Sequence, residues 1–262
     1  MSLAEIQVQY HDAVCHIVIH RPERKNALTH SMYSALNNAL LAAEANPRVR
    51  VILLSGEGEN FTSGNDLNDF LQHPPTNEHA PVMVMLNTLL NAQKPIVAAV
   101  SGYAIGIGTT LLMHCDLTYC DSSARFQMPF VSLGLCPEAG SSFALPLMAG
   151  HRRAAELLLL GEAFNAETAR EIGLVNAIVR DASVITYALK KATQLANQPY
   201  ASVILTKSLL KQSGHDAFST HMRLEGQHFM ARVTSPEAIE AFSAFQEKRQ
   251  PNFRPFDPLE TR

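Results

Sequence analysis

The sequence predicts an α/β fold whose sheets are mostly parallel and covered on both faces. Three observations lead there. Mostly apolar strands recur as VRVILLSG (Val49–Gly56), PIVAAVSG (Pro95–Gly102) and DLTYC (Asp116–Cys120), each entering a Gly- or Ser-containing turn. Helical stretches separate them, as repeated strand-strand-helix units require. From about Arg152 onward the pattern turns helical, with amphipathic stretches at 183–196, 201–212, 217–231 and 236–248.

The elements follow in order along the chain. AVCHIVIH alternates Val14, His16 and Val18 with Cys15, Ile17 and Ile19, a strand that ends in a sharp loop at Arg21-Pro22. Thr29 is placed to cap a helix with an apolar stripe of Met32, Leu36, Ala39, Leu40 and Ala43, and Asn46-Pro47 ends it. His73-Pro74-Pro75-Thr76-Asn77 reads as a mobile surface loop. Further on, Asn165 suits an N-cap and Gly173 the position after a helix end. No low-complexity linker divides the chain, so it reads as a core over 1–200 followed by a helical region over 201–262.

Composition excludes several classes. The 262 residues are 47% hydrophobic and 17% charged, enough to bury a sizeable core. A net charge of -3 speaks against the broad basic face that nucleic acid demands. Cys15, Cys115, Cys120 and Cys136 form no CxxC pair and lack zinc-finger spacing to any His, so they read as reduced core residues rather than metal or redox groups. The 11 histidines, His16, His20 and His114 among them, show no HExxH pattern and read as structural. The start has no signal-peptide pattern, no apolar run approaches the roughly 20 residues of a membrane span, and the end, Glu260-Thr261-Arg262, is not SKL. A protein of the cytoplasm without a membrane segment is expected.

Three segments carry chemistry: Phe61-Thr62-Ser63-Gly64-Asn65-Asp66-Leu67, Gly102-Tyr103-Ala104-Ile105-Gly106-Ile107-Gly108, and Leu135-Cys136-Pro137-Glu138-Ala139-Gly140-Ser141-Ser142. The second matches neither GxGxxG nor a P-loop. By itself it fits a close-packed turn as well as it fits a helix start offering unpaired N–H groups to an anion.

Taken together, FTSGNDL after a strand and G-x-x-x-G-x-G after PIVAAVS resemble the oxyanion-hole segments of the crotonase superfamily, the enoyl-CoA hydratase/isomerase family. HRPERKNALT resembles its early CoA-binding loop and AFQEKRQPNF its C-terminal signature. The resemblance implies a spiral of ββα units with C-terminal helices, assembled as a homotrimer or a dimer of trimers. It also implies an acyl-CoA thioester substrate, with no cofactor because coenzyme A belongs to the substrate. The N–H groups of Asn65 and Ile107 would hold the thioester enolate. CoA would lie across the early loop, with Arg24 or Lys25 near its phosphates and Ala27-Leu28 against it. Ser63, Gly64, Asp66, Leu67 and Gly106 would complete the pocket, with adenine near Ser63, Asp66 and Leu67. Phe229 and Lys248 match a Phe and a Lys that the C-terminal helices supply, sometimes from a neighbouring subunit. Read without the resemblance, Arg24 and Lys25 are solvated charges and Phe229 anchors a helix.

One departure decides which member the chain resembles. The two glutamates of typical hydratases fall at Thr110 and Phe130, and neither is a base at neutral pH. Glu138 instead matches the single catalytic glutamate of Δ3,Δ2-enoyl-CoA isomerases, whose segment resembles PEAGSS. Alone it would read as a helix-start acid. Leu133, Leu135 and Phe143 nearby suggest an apolar setting that raises its pKa. Asp116 and Asp121, the candidates for the second acid that a dienoyl-CoA isomerase needs, read as turn and capping residues. The expectation is therefore an enoyl-CoA isomerase. A hydratase using one Glu and a non-catalytic acyl-CoA-binding scaffold are the alternatives.

Overall fold

The computed structural model describes residues 4–256, so the Glu260-Thr261-Arg262 end lies outside the described residues. Strands β1 (Ile6–His11) and β2 (Val14–Ile19) form an antiparallel pair, and the early loop leads to helix α1 (His30–Ala45). Thr29 Oγ1 accepts the Met32 N–H at 3.3 Å, which fixes the start of α1 as its sequence suggests. There follow β3 (Val51–Gly56), α2 (Leu67–Gln72), α3 (Pro81–Leu90), β4 (Ile96–Val100), β5 (Tyr103–Ile105) and the short α4 (Ile107–Thr110). Next come β6 (Leu117–Asp121), β7 (Arg125–Gln127), α5 (Ser141–Ala149), α6 (His151–Ala155), β8 (Phe164–Asn165), α7 (Ala166–Glu171) and β9 (Ala177–Val179). The chain closes with α8 (Val184–Ala196), α9 (Tyr200–Gln212), α10 (His215–Arg232) and α11 (Pro236–Gln246).

The large sheet has the order β1-β2-β3-β4-β6-β9 and is parallel from β2 onward; β5, β7 and β8 form a second, small sheet. Three times the chain leaves a large-sheet strand, turns, and runs along the small sheet before entering a helix or turn. The pairs are β3 with the 61–65 segment, β4 with β5, and β6 with β7. This is the expected ββα repeat, and it delivers the 61–65 segment and the β5 end to one place.

Unbroken apolar strands follow from cover on both faces. Val51 and Leu53 join Val97, Ala99 and Tyr119 against Ala188 and Ala192 of α8, while Ile52, Leu54, Ile96, Ala98 and Val100 face the larger core. His16 is buried on β2 and bonds Ser55 Oγ at 2.7 Å, the structural role its place in a strand suggests. Asn165 caps α7 through Thr168 N–H (2.9 Å), and Gly173 takes a φ of +79° just past its end. No helix among the described residues is long and apolar enough to cross a membrane.

The His73–Asn77 segment is exposed at His73, Thr76 and Asn77, as a surface loop is, and it has a second role. Pro75 is buried and lines the main cleft, so this loop forms part of the cleft's wall.

Candidate active site

Two backbone segments meet at one end of the small sheet. Thr62 N–H donates to Tyr103 O (2.9 Å) and Ile105 N–H to Thr62 O (3.1 Å), so residues 61–65 run parallel to β5. The approach is too close for side chains. A Cβ on Gly64, whose φ is +86°, would sit 2.7 Å from Ile105 O, and one on Gly108 would sit 2.6 Å from Thr62 Cγ2. Across from β5, Leu28 N–H donates to Gly64 O and Asp66 N–H to Leu28 O, both at 2.8 Å. Among the described residues, the N–H of Asn65 between them donates to no acceptor. Ile107 is the first residue of α4, after Gly106 at a φ of +56°, and a helix's first N–H has no partner within the helix. Both residues, Asn65 and Ile107, line the same cleft. Tyr33, fully buried on α1, donates its hydroxyl to Asn65 Oδ1 at 2.5 Å and fixes that side chain.

Glu138 is the third component. Its side chain lines the cleft yet the residue is only 4% exposed. Oε1 accepts the Thr110 hydroxyl, and Oε2 is buried without a hydrogen-bond partner among the described residues. Burial pushes its pKa up to about 8; the Thr110 bond opposes the rise and the nearby Glu225 carboxyl adds to it. The carrying turn is held from several sides. Ser141 Oγ donates to Glu138 O (2.6 Å), and His114 Nε2 lies 2.9 Å from Ala139 O, which places the ring proton on Nε2. Ala139 has a φ of +59°, a conformation that costs a non-glycine residue roughly 1–2 kcal/mol.

The simple alternative for Glu138, an acid serving the start of a helix, does not describe it. The amino end of α5 is capped by Glu225, which accepts Gly140 N–H at 2.6 Å and Ser142 N–H at 2.7 Å. Thr110, read as chemically empty, is the group that holds Glu138. Phe130 is buried and meets Phe229 edge to face with ring centroids 6.5 Å apart. Asp116 accepts Ile96 N–H (2.8 Å) and pairs with Lys207 (2.7 Å), while Asp121 accepts Ser123 N–H (2.9 Å), so neither lines the cleft.

The cleft holds about 580 Å³. Arg24, Ala27, Ser63, Gly64, Asn65, Asp66, Leu67, Gly106, Ile107, Glu138 and Phe229 all line it. Lys25, Leu28 and Lys248 do not. Lys25 Nζ sits 4.7 Å over the Tyr103 ring, Leu28 is buried beside the cleft, and Lys248 is exposed beyond the end of α11. The Asp66 carboxyl is already engaged: it pairs with Arg21 at 2.8 Å and caps α2 through the Asn68 and Asp69 N–H groups. Burial would raise its pKa, but Arg21 and those amides outweigh it and hold it below the usual carboxylate value. Glu138 is thus the cleft-lining carboxyl with an uncommitted oxygen.

Sequence reasoning missed Tyr33, Arg21 and Glu225, and also the aromatic wall in which Phe70 meets Phe229 and Phe242 at 6.3 and 5.6 Å. The one available signal was the spacing of Glu225 four residues before Phe229, which places both on one face of a helix.

This fold and site define a class: proteins of repeated ββα units, built on a large and a small sheet, in which unpaired backbone N–H groups and a buried carboxyl share an apolar cleft. The chain belongs to the enoyl-CoA hydratase/isomerase family, whose model matches residues 9–255. It is 34% identical to the 1,2-epoxyphenylacetyl-CoA isomerase of Escherichia coli, over 90% of this chain and 93% of that one. It is 30% identical to the 2,3-dehydroadipyl-CoA hydratase of the same organism (96% and 99%) and 33% identical to enoyl-CoA delta isomerase 2 of Rattus norvegicus (92% and 63%). Among solved structures it resembles OdaA of Pseudomonas aeruginosa at a TM-score of 0.89 and 46% identity, covering 92% of this chain and 98% of that one.

Proposed function

We propose that this protein shifts the double bond of a 3-enoyl-CoA to give the 2-trans-enoyl-CoA, with Glu138 as its single acid/base, in fatty-acid β-oxidation or related acyl-CoA degradation. The observation that supports this most is the state of Glu138: a buried carboxyl with one oxygen unpartnered, beside two unpaired N–H groups. The thioester oxygen sits at the N–H groups of Asn65 and Ile107. Carboxylate Glu138 takes a proton from C2, and the C–H electron pair moves into the C1–C2 bond as negative charge builds on the oxygen. The C3–C4 electrons then take the proton back at C4, C2 and C3 become doubly bonded, and the carbonyl re-forms. No atom enters or leaves, so water has no part to play.

A base with a pKa near 8 suits both halves of that cycle, because it must accept a proton and then return it. CoA lies along the early loop by Arg24 and Ala27, its adenine near Ser63, Asp66 and Leu67, with the acyl group toward Phe229. Lys25 and Leu28 support that loop, and Lys248 serves the site of a neighbouring subunit in a homotrimer or dimer of trimers in the cytoplasm. Leu205, Leu209 and Leu210, all exposed on α9, favour such an assembly.

Glu138→Gln removes the base and keeps the shape. Conversion of 3-enoyl-CoA, followed by chromatography of the products, is expected to fall by about 10²–10⁴-fold. Undiminished conversion would remove Glu138 from the reaction.

A further inference from the structure

The turn that carries Glu138 is held from behind by the C-terminal helices. Glu225 of α10 is buried, and its two oxygens accept the N–H groups of Gly140 and Ser142. Those are free N–H groups at the amino end of α5, whose N-cap residue Gly140 has no side chain to cover them. An acid just ahead of a helix is ordinarily drawn to such groups, and Glu138 stands two residues before Gly140. With the end of α5 already closed, Glu138 points the other way, to Thr110 and the cleft.

We propose that Glu225 is a positioning residue for Glu138: it fills the amino end of α5 in Glu138's place, leaving the Glu138 carboxyl in the cleft to move between two substrate carbons. The inference rests on Glu138 being the base of the proposed isomerisation. A second effect comes with the charge, since a carboxylate behind the same turn opposes ionisation of Glu138. The other titratable or charged groups around the pair are Tyr33 from α1, Cys136 in the preceding loop, His114 after α4, and His221 and Arg232 on α10 itself. Burial holds Tyr33 well above its ordinary value, pushes Cys136 to about 11 and lowers His114 to about 4, so these three contribute no changing charge at neutral pH.

The test is E225Q in the full chain, assayed across pH with 3-enoyl-CoA. A glutamine amide in the same place has one accepting oxygen where Glu225 has two, so its NH2 faces one of the two N–H groups. The acid limb of kcat/KM is expected to move to lower pH. At its plateau kcat should fall by about tenfold to a hundredfold, as for a misplaced base. KM should change little, because Glu225 does not line the cleft. E225D keeps the charge on a stem too short to reach both amides, so its limb stays put while kcat falls.

A substrate-free measurement separates this inference from the isomerase reading. A carboxyl raised from 4.5 to about 8 leaves stability untouched below the lower value and lowers it progressively as pH climbs to the upper one. The gain in unfolding free energy from E138Q should therefore grow over that window, and in the E225Q background the window should close at lower pH. If limb, window and kcat per folded site are all unmoved, Glu225 is a structural cap and the inference is wrong. Should E225Q not fold, an unchanged kcat in E225D overturns it equally. A moved window in a protein that never converts 3-enoyl-CoA would sink the isomerase reading alone.

Discussion

In the proposed isomerisation Glu138 has to be a strong enough base to remove a carbon-bound proton and a weak enough one to give it back. Burial supplies basicity by disfavouring the charged form, and Thr110 moderates it through one hydrogen bond to Oε1. That division gives a signed prediction. Thr110→Val removes the bond that favours the carboxylate, so the pKa of Glu138 rises above about 8 and the acid limb of the kcat/KM profile shifts to higher pH. A pH–rate series on 3-enoyl-CoA reads this directly, and a shift to lower pH would contradict it. Tyr33 acts on the other component. Its burial and the nearby Glu138 and Asp69 carboxyls raise its pKa well above the ordinary value, so it remains a donor to Asn65 Oδ1.

At the scale of elements, the site depends on how near the 61–65 segment comes to β5. Gly64 permits that approach twice over, by its positive φ and by the missing Cβ that would meet Ile105 O at 2.7 Å. Gly64→Ala should push the Asn65 N–H away from its direction while leaving Glu138 in place. Losing one such donor costs about 3 kcal/mol of barrier, so kcat per folded molecule is expected to drop on the order of 10²-fold or more, and the thermal midpoint to fall as well because the new Cβ meets backbone at a positive φ. An alanine variant with full kcat would show that Asn65 N–H is not a donor in the reaction. Much at this scale was legible in the sequence. The caps at Thr29 and Asn165, the end at Gly173 and the C-terminal helices all rest on contacts within a few residues, which local pattern specifies. The place of Pro75 in the cleft wall was not legible for the converse reason: polar turn chemistry says where a chain bends, and says nothing about which wall it completes.

Over the whole molecule, the site joins the spiral core to the C-terminal helices. Asn65 and Ile107 come from the small-sheet side, Glu138 from the loop before α5, and Glu225 and Phe229 from α10. Glu138 could be found because its neighbours in sequence match a known segment and because Thr110 and Phe130 leave the hydratase positions without a base. Glu225, Tyr33 and the Arg21–Asp66 pair could not, since each depends on partners brought together only by folding. The same distribution explains the division of chemistry. The core sets the N–H groups by backbone geometry, and in the proposed reaction the helical region, through Glu225, aims the carboxyl. Relatives that share this architecture include both isomerases and a hydratase, so the fold admits either reaction and the residues of the cleft must choose.

That choice is tested most directly by supplying 3-enoyl-CoA to the wild-type protein in water enriched in heavy oxygen and weighing the product. A lone carboxylate carrying a proton between carbons predicts 2-trans-enoyl-CoA of unchanged formula, free of solvent oxygen. A first product heavier by one labelled water, or no conversion of 3-enoyl-CoA at all, would contradict the account.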